Sequence, residues 1–171
     1  MSFQLTDAQL LDMMLTAKRL GMDCPPMWRF LSLADLRAIC NGIGPDKFPG
    51  LVHEIADNLL DIALIPSGPH DVGYEFALGT REDWHQRNEE FIHNVKRVID
   101  DRYPEILEPR GGFWGWVLHF PSHVSFEARK DKRIALREVA ELLFDAVESS
   151  EGWDSYMAAY KRGPGIPKPT A

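Results

Sequence analysis

Apolar residues recur at helical spacing near the start of the chain. They follow the period of a single helix face: Leu10, Leu11, Met14, Ala17 and Leu20. Thr6 and Gln9 precede this set with the spacing of a capping box, and Gly21 follows it. The pattern predicts a first helix between Thr6 and Gly21.

A second, short helix is predicted after the helix-breaking pair Pro25-Pro26. Ser32 and Asp35 have the spacing of a helix start, and the apolar residues within 36–39 lie on one face. Glycine favours the end of a helix, so this helix should stop at the glycine-rich turn of residues 40–44.

Prolines interrupt the next stretch at four positions: Pro45, Pro49, Pro66 and Pro69. Because proline breaks helix interiors, we expect loops here around one short helix near Val52–Leu60. Ser67 is the predicted N-cap of a separate helix whose first turn holds His70 and which ends at Gly79.

The strongest helical pattern starts at Thr80 and Asp83 and is predicted to run to about Asp101, before Pro104. Its inner stripe is Trp84, Asn88, Phe91, Ile92, Val95 and Val98. Asn88 takes a position where a core helix ordinarily has an apolar side chain, so we expect a polar group to face it. The short connection to the preceding helix favours an antiparallel pair.

The composition changes after Gly111-Gly112. Aromatic and β-branched residues over 113–120, and again over 123–127, favour a small β-hairpin. The charged run 129–133 then opens a C-terminal helix with an apolar stripe of Leu136, Val139, Ala140, Leu143 and Val147. The tail over 163–171 is rich in proline and glycine and is predicted to be disordered.

These elements predict a mainly α fold: an antiparallel helix pair, a small β-hairpin and a C-terminal helix. With 171 residues, the chain fits one globular domain, predicted over residues 1–162 with a helical core at 40–101.

The net charge of the chain argues against one class of partner. The formal net charge is −7, with 26 acidic against 19 basic residues, and this argues against nucleic acid as a partner. The two cysteines and the absence of a signal-like start favour free thiols and a cytoplasmic location. No apolar run approaches the roughly 20 residues that span a bilayer, so any lipid contact would be peripheral.

The pair His70-Asp71, followed by Tyr74, is the most informative chemical feature of the sequence. A neutral imidazole is a competent general base near pH 7. If the helix pair is antiparallel, His70, Tyr74 and Asn88 cluster, whereas Asp71 lies about 100° around its helix and looks toward the glycine-rich turn.

A hard cation could bind between Asp71 and that turn. Calcium takes 6 to 8 oxygen ligands and commonly mixes a carboxylate with main-chain carbonyls. The predicted ligands are Asp71 and the carbonyls of Cys40, Gly42 and Gly44.

Three motifs together resemble the secretory phospholipase A2 superfamily, and look closest to its disulfide-poor prokaryotic and phage-encoded members. They are the Asn-Gly-Ile-Gly turn at 41–44, the His-Asp-Val-Gly-Tyr segment at 70–74, and a long helix with a polar residue three places before Phe91. The resemblance covers roughly residues 40–99. It implies a calcium-dependent carboxyl-ester hydrolase that acts on phospholipid or another ester. His70 would deprotonate the attacking water, Asp71 and the loop would hold calcium, and Tyr74 would brace the pair.

The chain departs from that family at Asn88, where the family places an aspartate. An amide carbonyl can orient an imidazole, but it brings no compensating charge. The same carboxylate-to-amide change lowers turnover roughly 10⁴-fold in serine-protease triads, so activity here should be weakened, and Asn88→Asp is the variant expected to restore it. A second departure is Gly73, which stands where disulfide-bonded relatives have a cysteine.

Two alternatives stay open at this point. The chain could be an inactive phospholipase-like scaffold that binds a protein or a lipid surface through the aromatic cluster Phe113, Trp114 and Trp116. It could instead be a helical metal-dependent phosphohydrolase that uses His53, His70-Asp71 and Asp100 or Asp101.

Overall fold

The computed structural model describes residues 5–40, 52–104 and 120–164, and this part of the chain is almost entirely helical. Its α-helices are α1 (Asp7–Arg19), α2 (Leu33–Ile39), α3 (Val52–Glu75), α4 (Arg81–Arg102), α5 (Phe120–Val147) and α6 (Ser150–Arg162). A 3₁₀ turn at Pro26–Phe30 separates α1 from α2. The predicted mainly α fold class is confirmed.

The first two helices begin and end close to where the sequence predicts. Thr6 and Gln9 form a reciprocal capping box at the start of α1, and Ser32 and Asp35 form another at the start of α2. Each box satisfies main-chain N–H groups that the first helical turn leaves without partners. Both start signals were therefore correct.

Helix α3 corrects the prediction for the proline-rich stretch. In place of a short helix, a loop and a second helix, Val52–Glu75 is one continuous helix that contains Pro66 and Pro69. Ser67 is an interior residue, and its hydroxyl donates to the Leu64 carbonyl at 2.7 Å. An interior proline costs about 3 kcal/mol. The apolar contacts of this buried helix outweigh that cost. Because the helix is continuous, His70 lies far from its start.

The environment of α3 explains that outcome. It packs against α1, α2, α4 and α6, and the residues around its prolines are buried. Its apolar core residues include Ile62, Ala63, Ile65 and Val72. A helix that packs against several others gains more free energy from packing than it loses through the low helix propensity of its prolines.

Helix α4 has the predicted extent and buried face. Thr80 caps it by accepting a hydrogen bond from the Asp83 N–H, and every residue of the predicted inner stripe is buried. Along α3, earlier residues contact later residues of α4: Gly73 lies against Arg87, and His70 lies against Asn88 and Phe91. The two helices are therefore antiparallel, as predicted.

The second strand of the predicted β-hairpin is wrong. Residues 123–127 are helical, because α5 begins at Phe120, nine residues before the predicted start. Pro121 lies in the first helical turn, where its missing N–H is not needed, so it does not block this earlier start. The first strand lies within residues 105–119, outside the described residues. The part of the chain that is described contains no strand.

Helix α6 was not predicted, although the sequence carries signals for it. Ser149 caps its start by accepting from the Gly152 N–H, and Gly163, at φ +70°, follows its last residue. Tyr156 and Ala159 are its buried residues. The predicted disordered tail falls mostly on residues 165–171, outside the described residues.

Tyr156 joins α6 to the connection between α3 and α4. Its hydroxyl donates to Asp83 Oδ2 at 2.5 Å and accepts from the Gly79 N–H at 3.0 Å. Asp83 Oδ2 also accepts from the Leu78 N–H at 3.0 Å. Gly79 has φ +78°, and a Cβ there would meet the Tyr160 ring at 2.7 Å, so only glycine fits this turn. These bonds fix the geometry of the connection between α3 and α4.

Cys24 and Cys40 are both free thiols, as predicted. Among the described helices, none combines the length and the apolar content needed to cross a bilayer.

We predict that Tyr156→Phe lowers the free energy of unfolding by about 1–3 kcal/mol, because it removes one partner each from Asp83 and the Gly79 N–H. Urea denaturation measures the change. Tyr160→Phe on the same helix is the matched control, since Tyr160 is about half exposed and its hydroxyl does not take part in these bonds. Equal stabilities of the two variants would contradict the assignment.

The contribution of the Tyr156 hydrogen bonds to the free energy of unfolding should fall at alkaline pH. Burial, then the hydrogen bond to Asp83, raise the pKa of Tyr156 to about 12, against about 10 for an unfolded tyrosine. The unfolded state loses its proton first, so this contribution is complete below pH 10 and is lost as the pH rises toward 12. Urea titrations at increasing pH should show the stability gap between wild type and Tyr156→Phe narrowing above pH 10. A constant gap would contradict the prediction.

Candidate functional site

The structure brings His70, Tyr74 and Asn88 together between α3 and α4. His70 Nε2 lies 3.1 Å from Asn88 Oδ1, and the Tyr74 hydroxyl donates to the same oxygen at 2.9 Å. His70 and Tyr74 are four positions apart and therefore share one face of α3. The Asn88 carbonyl is thus the common acceptor for both side chains.

Hydrogen bonds on its other side fix the orientation of the Asn88 amide. Nδ2 donates to the Val147 carbonyl at 3.2 Å and to Glu148 Oε1 at 2.7 Å. A carbonyl and a carboxylate have no proton to give, so an amide turned the other way would place three acceptors together. The side chain is fully buried and makes four hydrogen bonds.

This orientation determines which nitrogen of His70 carries a proton. Asn88 Oδ1 can only accept, so Nε2 must be the donor. In the neutral ring, Nδ1 then holds the lone pair. Phe91 and Tyr74 pack on the imidazole with ring centroids 4.6 and 4.3 Å away, which limits its rotation.

Tyr74 acts as a donor in this cluster. Burial is the largest cause that raises the pKa of its hydroxyl well above the ordinary value. The hydroxyl therefore keeps its proton at neutral pH and donates it to Asn88. Its ring also meets Tyr156 edge-on, with centroids 5.2 Å apart.

The charge of Asp71 acts on Cys40, the residue that follows α2. Burial, and then this charge, raise the pKa of the Cys40 thiol. Cys40 Sγ also lies 3.8 Å from the Gly68 carbonyl, one turn before Asp71 on α3. His70 and Asp71 point to different sides of α3, because successive residues of a helix are about 100° apart.

Only part of the predicted calcium site can be located. Asp71 and Cys40 are described, whereas Gly42 and Gly44 lie outside the described residues. The predicted set has one carboxylate and otherwise main-chain oxygens. Among the side chains that the structure describes, no group of three or more His, Cys, Asp and Glu is arranged to hold a metal ion.

Gly73 has a steric role here. A Cβ at this position would meet Arg87 Cδ at 2.7 Å, so the absence of a side chain lets Arg87 lie close against α3. Arg87 in turn pairs with Asp83 at 3.0 Å and Glu90 at 2.8 Å. Glycine here serves the contact between α3 and α4.

Sequence reasoning missed Glu148 and His85. Glu148 follows the last residue of α5, and its two carboxylate oxygens contact Asn88 Nδ2 and, at 2.5 Å, His85 Nδ1. Glu148 is 60 positions from Asn88, and no motif in the sequence joins them. For His85 a signal existed, since it lies three positions before Asn88 and so near the same helix face.

Phe113, Trp114 and Trp116 lie outside the described residues, and so does the side chain of His53. Asp100 and Asp101 are not part of this cluster. Asp100 pairs with Arg133 and Arg137, and Asp101 pairs with Arg19. Asp100 is twelve residues after Asn88, about 18 Å along α4. The contacts therefore give no support to the phosphohydrolase alternative.

Comparison of the chain with protein-family models, curated proteins and solved structures finds no match.

The amide orientation predicts that Asn88→Asp is destabilising rather than restorative. The new carboxylate would face the Val147 carbonyl and Glu148, and we expect a loss of about 3–5 kcal/mol in the free energy of unfolding. Asn94→Asp is the matched comparison. Asn94 is also buried on α4, but its amide nitrogen makes one bond, to the Asp23 carbonyl, and Arg97 lies beside its oxygen. Urea denaturation should show the smaller loss at Asn94; equal losses would contradict the assigned orientation.

Proposed function

We propose that the chain is a calcium-dependent, phospholipase A2-like hydrolase of carboxyl esters. The observation that carries this proposal is the hydrogen bond of His70 Nε2 to the Asn88 carbonyl. It assigns the proton of the neutral ring to Nε2 and the lone pair to Nδ1, and a lone pair is what a general base needs. The packing of Tyr74 and Phe91 against the ring supports the same role, because a base must be held in one orientation to accept a proton efficiently.

The proposed reaction follows from that assignment. His70 Nδ1 takes a proton from a water molecule as the water oxygen bonds to the ester carbonyl carbon. The C=O electron pair moves to oxygen and forms a tetrahedral oxyanion. When the oxyanion collapses, the carbon–oxygen bond to the leaving group breaks, and the imidazolium returns the proton to the departing alcohol.

Asp71 and the main-chain carbonyls of Cys40, Gly42 and Gly44 would hold the calcium ion. One observation supports this role: Cys40 Sγ lies 3.8 Å from the carbonyl of Gly68, which is one turn before Asp71 on α3. Bound calcium would supply positive charge for the oxyanion. We propose phospholipid as the substrate class, reached by peripheral contact with a lipid surface.

A second candidate is binding without turnover. The Asn88 amide favours it, because a neutral carbonyl offsets the charge of a protonated His70 less than a carboxylate would. In this case the chain binds calcium and a lipid or protein partner but does not hydrolyse the ester.

Calcium titration by calorimetry and hydrolysis of a fluorogenic phospholipid, with and without calcium, test both candidates. The hydrolase proposal expects calcium binding that Asp71→Asn abolishes, and calcium-dependent turnover that His70→Gln abolishes. Asp131→Asn and His93→Gln are matched controls, since both residues are exposed. Calcium binding without turnover would select the binding candidate, and failure to bind millimolar calcium would contradict both.

A further inference from the structure

A chain of hydrogen bonds leads from His70 to the protein surface. His70 Nε2 donates to Asn88 Oδ1, Asn88 Nδ2 donates to Glu148 Oε1, and Glu148 Oε2 lies 2.5 Å from His85 Nδ1. The exposed fraction of the side chain is 17% for Glu148 and 53% for His85. A mostly buried carboxylate is therefore held between the amide that orients His70 and a half-exposed histidine.

We propose that Glu148 is a positioning residue for His70: its carboxylate holds the Asn88 amide in the orientation that places a proton on His70 Nε2. This proposal rests on the proposed function only in so far as His70 is the base of a reaction. The orientation itself is a property of the protein without substrate or calcium.

The donors and acceptors in this series of hydrogen bonds can be assigned in only one way. An ionised carboxylate only accepts, so Asn88 must present Nδ2 to Glu148 and Oδ1 to His70. The Val147 carbonyl accepts from the same nitrogen, but at 3.2 Å it is the longer of the two contacts. A hydrogen bond to a charged acceptor is roughly twice as strong as one between neutral groups. Glu148 therefore contributes more to the amide orientation than Val147 does.

Glu148 is itself held in place. It follows the end of α5, and its N–H donates to the Phe144 carbonyl at 2.9 Å. His85 and Asn88 are three positions apart on α4, so each carboxylate oxygen meets a donor from one face of that helix. With both oxygens engaged, the carboxylate cannot rotate away from Asn88 without losing a bond.

Glu148 also supplies the charge that Asn88 lacks. A carboxylate bonded to the amide nitrogen polarises the amide and makes its carbonyl oxygen a stronger acceptor. The negative charge that the phospholipase A2 superfamily places beside the histidine is here one residue further away. Asn88 lies between this charge and the His70 ring.

Two substitutions at Glu148 separate orientation from charge. Glu148→Ala removes an acceptor from Asn88 Nδ2. Glu148→Gln keeps a carbonyl acceptor without the charge, and the half-exposed His85 can change its own tautomer to match. Glu141→Ala is the matched control, because Glu141 lies on α5, which ends just before Glu148, and pairs with Lys96 of α4 at 2.6 Å, but is largely exposed and outside the cluster.

The primary readout is the tautomer of His70, taken from its imidazole ¹⁵N chemical shifts at neutral pH without substrate or calcium. Wild type and Glu141→Ala should show a single Nε2–H form. Glu148→Ala should show a second population with the proton on Nδ1. Glu148→Gln should keep the single form with a displaced Nε2 resonance. In the ester assay, kcat of Glu148→Ala should fall about 10- to 100-fold with KM unchanged.

A single, wild-type tautomer in Glu148→Ala would overturn the proposal, whatever the activity. Should the alanine variant not fold, an unshifted His70 Nε2 resonance in Glu148→Gln would overturn it equally. Failure of wild type to hydrolyse ester would contradict the proposed hydrolase but leave this result intact, because the tautomer is measured without turnover.

Discussion

The Asn88 amide is the contact on which the arrangement around His70 depends. It is fully buried and joins three segments: α3 through His70 and Tyr74, α4 on which it lies, and the end of α5 through Val147 and Glu148. Each of its polar atoms meets two partners. An amide satisfies both sides because one end accepts and the other donates, whereas a carboxylate or a hydrocarbon of similar shape cannot.

Several elements of the fold could be predicted because their signals are local. The capping boxes at Thr6 and Ser32 and the buried stripe of α4 need only neighbouring residues, and all were correct. The prediction for the proline-rich stretch was wrong, because the free energy that keeps Pro66 and Pro69 inside α3 comes from packing against other helices. The strand predicted at residues 123–127 was also wrong. A β-branched and aromatic composition does not distinguish a strand from the start of a helix.

The candidate site shows the same limit. The distances among His70, Tyr74 and Asn88 follow from two helices with a short connection, so the sequence could predict their cluster. It also predicted that a polar group faces Asn88. The identity of that group could not be predicted, because Glu148 reaches Asn88 only through the packing of α5 on α4. The resemblance to the phospholipase A2 superfamily implied a missing carboxylate at Asn88, and the structure has a carboxylate, that of Glu148, on the other side of the amide.

The protonation of the His70 ring in the wild-type protein tests the central claim most directly. Long-range ¹H–¹⁵N correlation spectra at a pH where the ring is neutral distinguish the two tautomers without substrate, calcium or substitution. The account predicts that the proton lies on Nε2, facing the Asn88 carbonyl. A proton on Nδ1 would mean that Asn88 presents its nitrogen to the ring, and that would contradict both the amide orientation and the role given to Glu148.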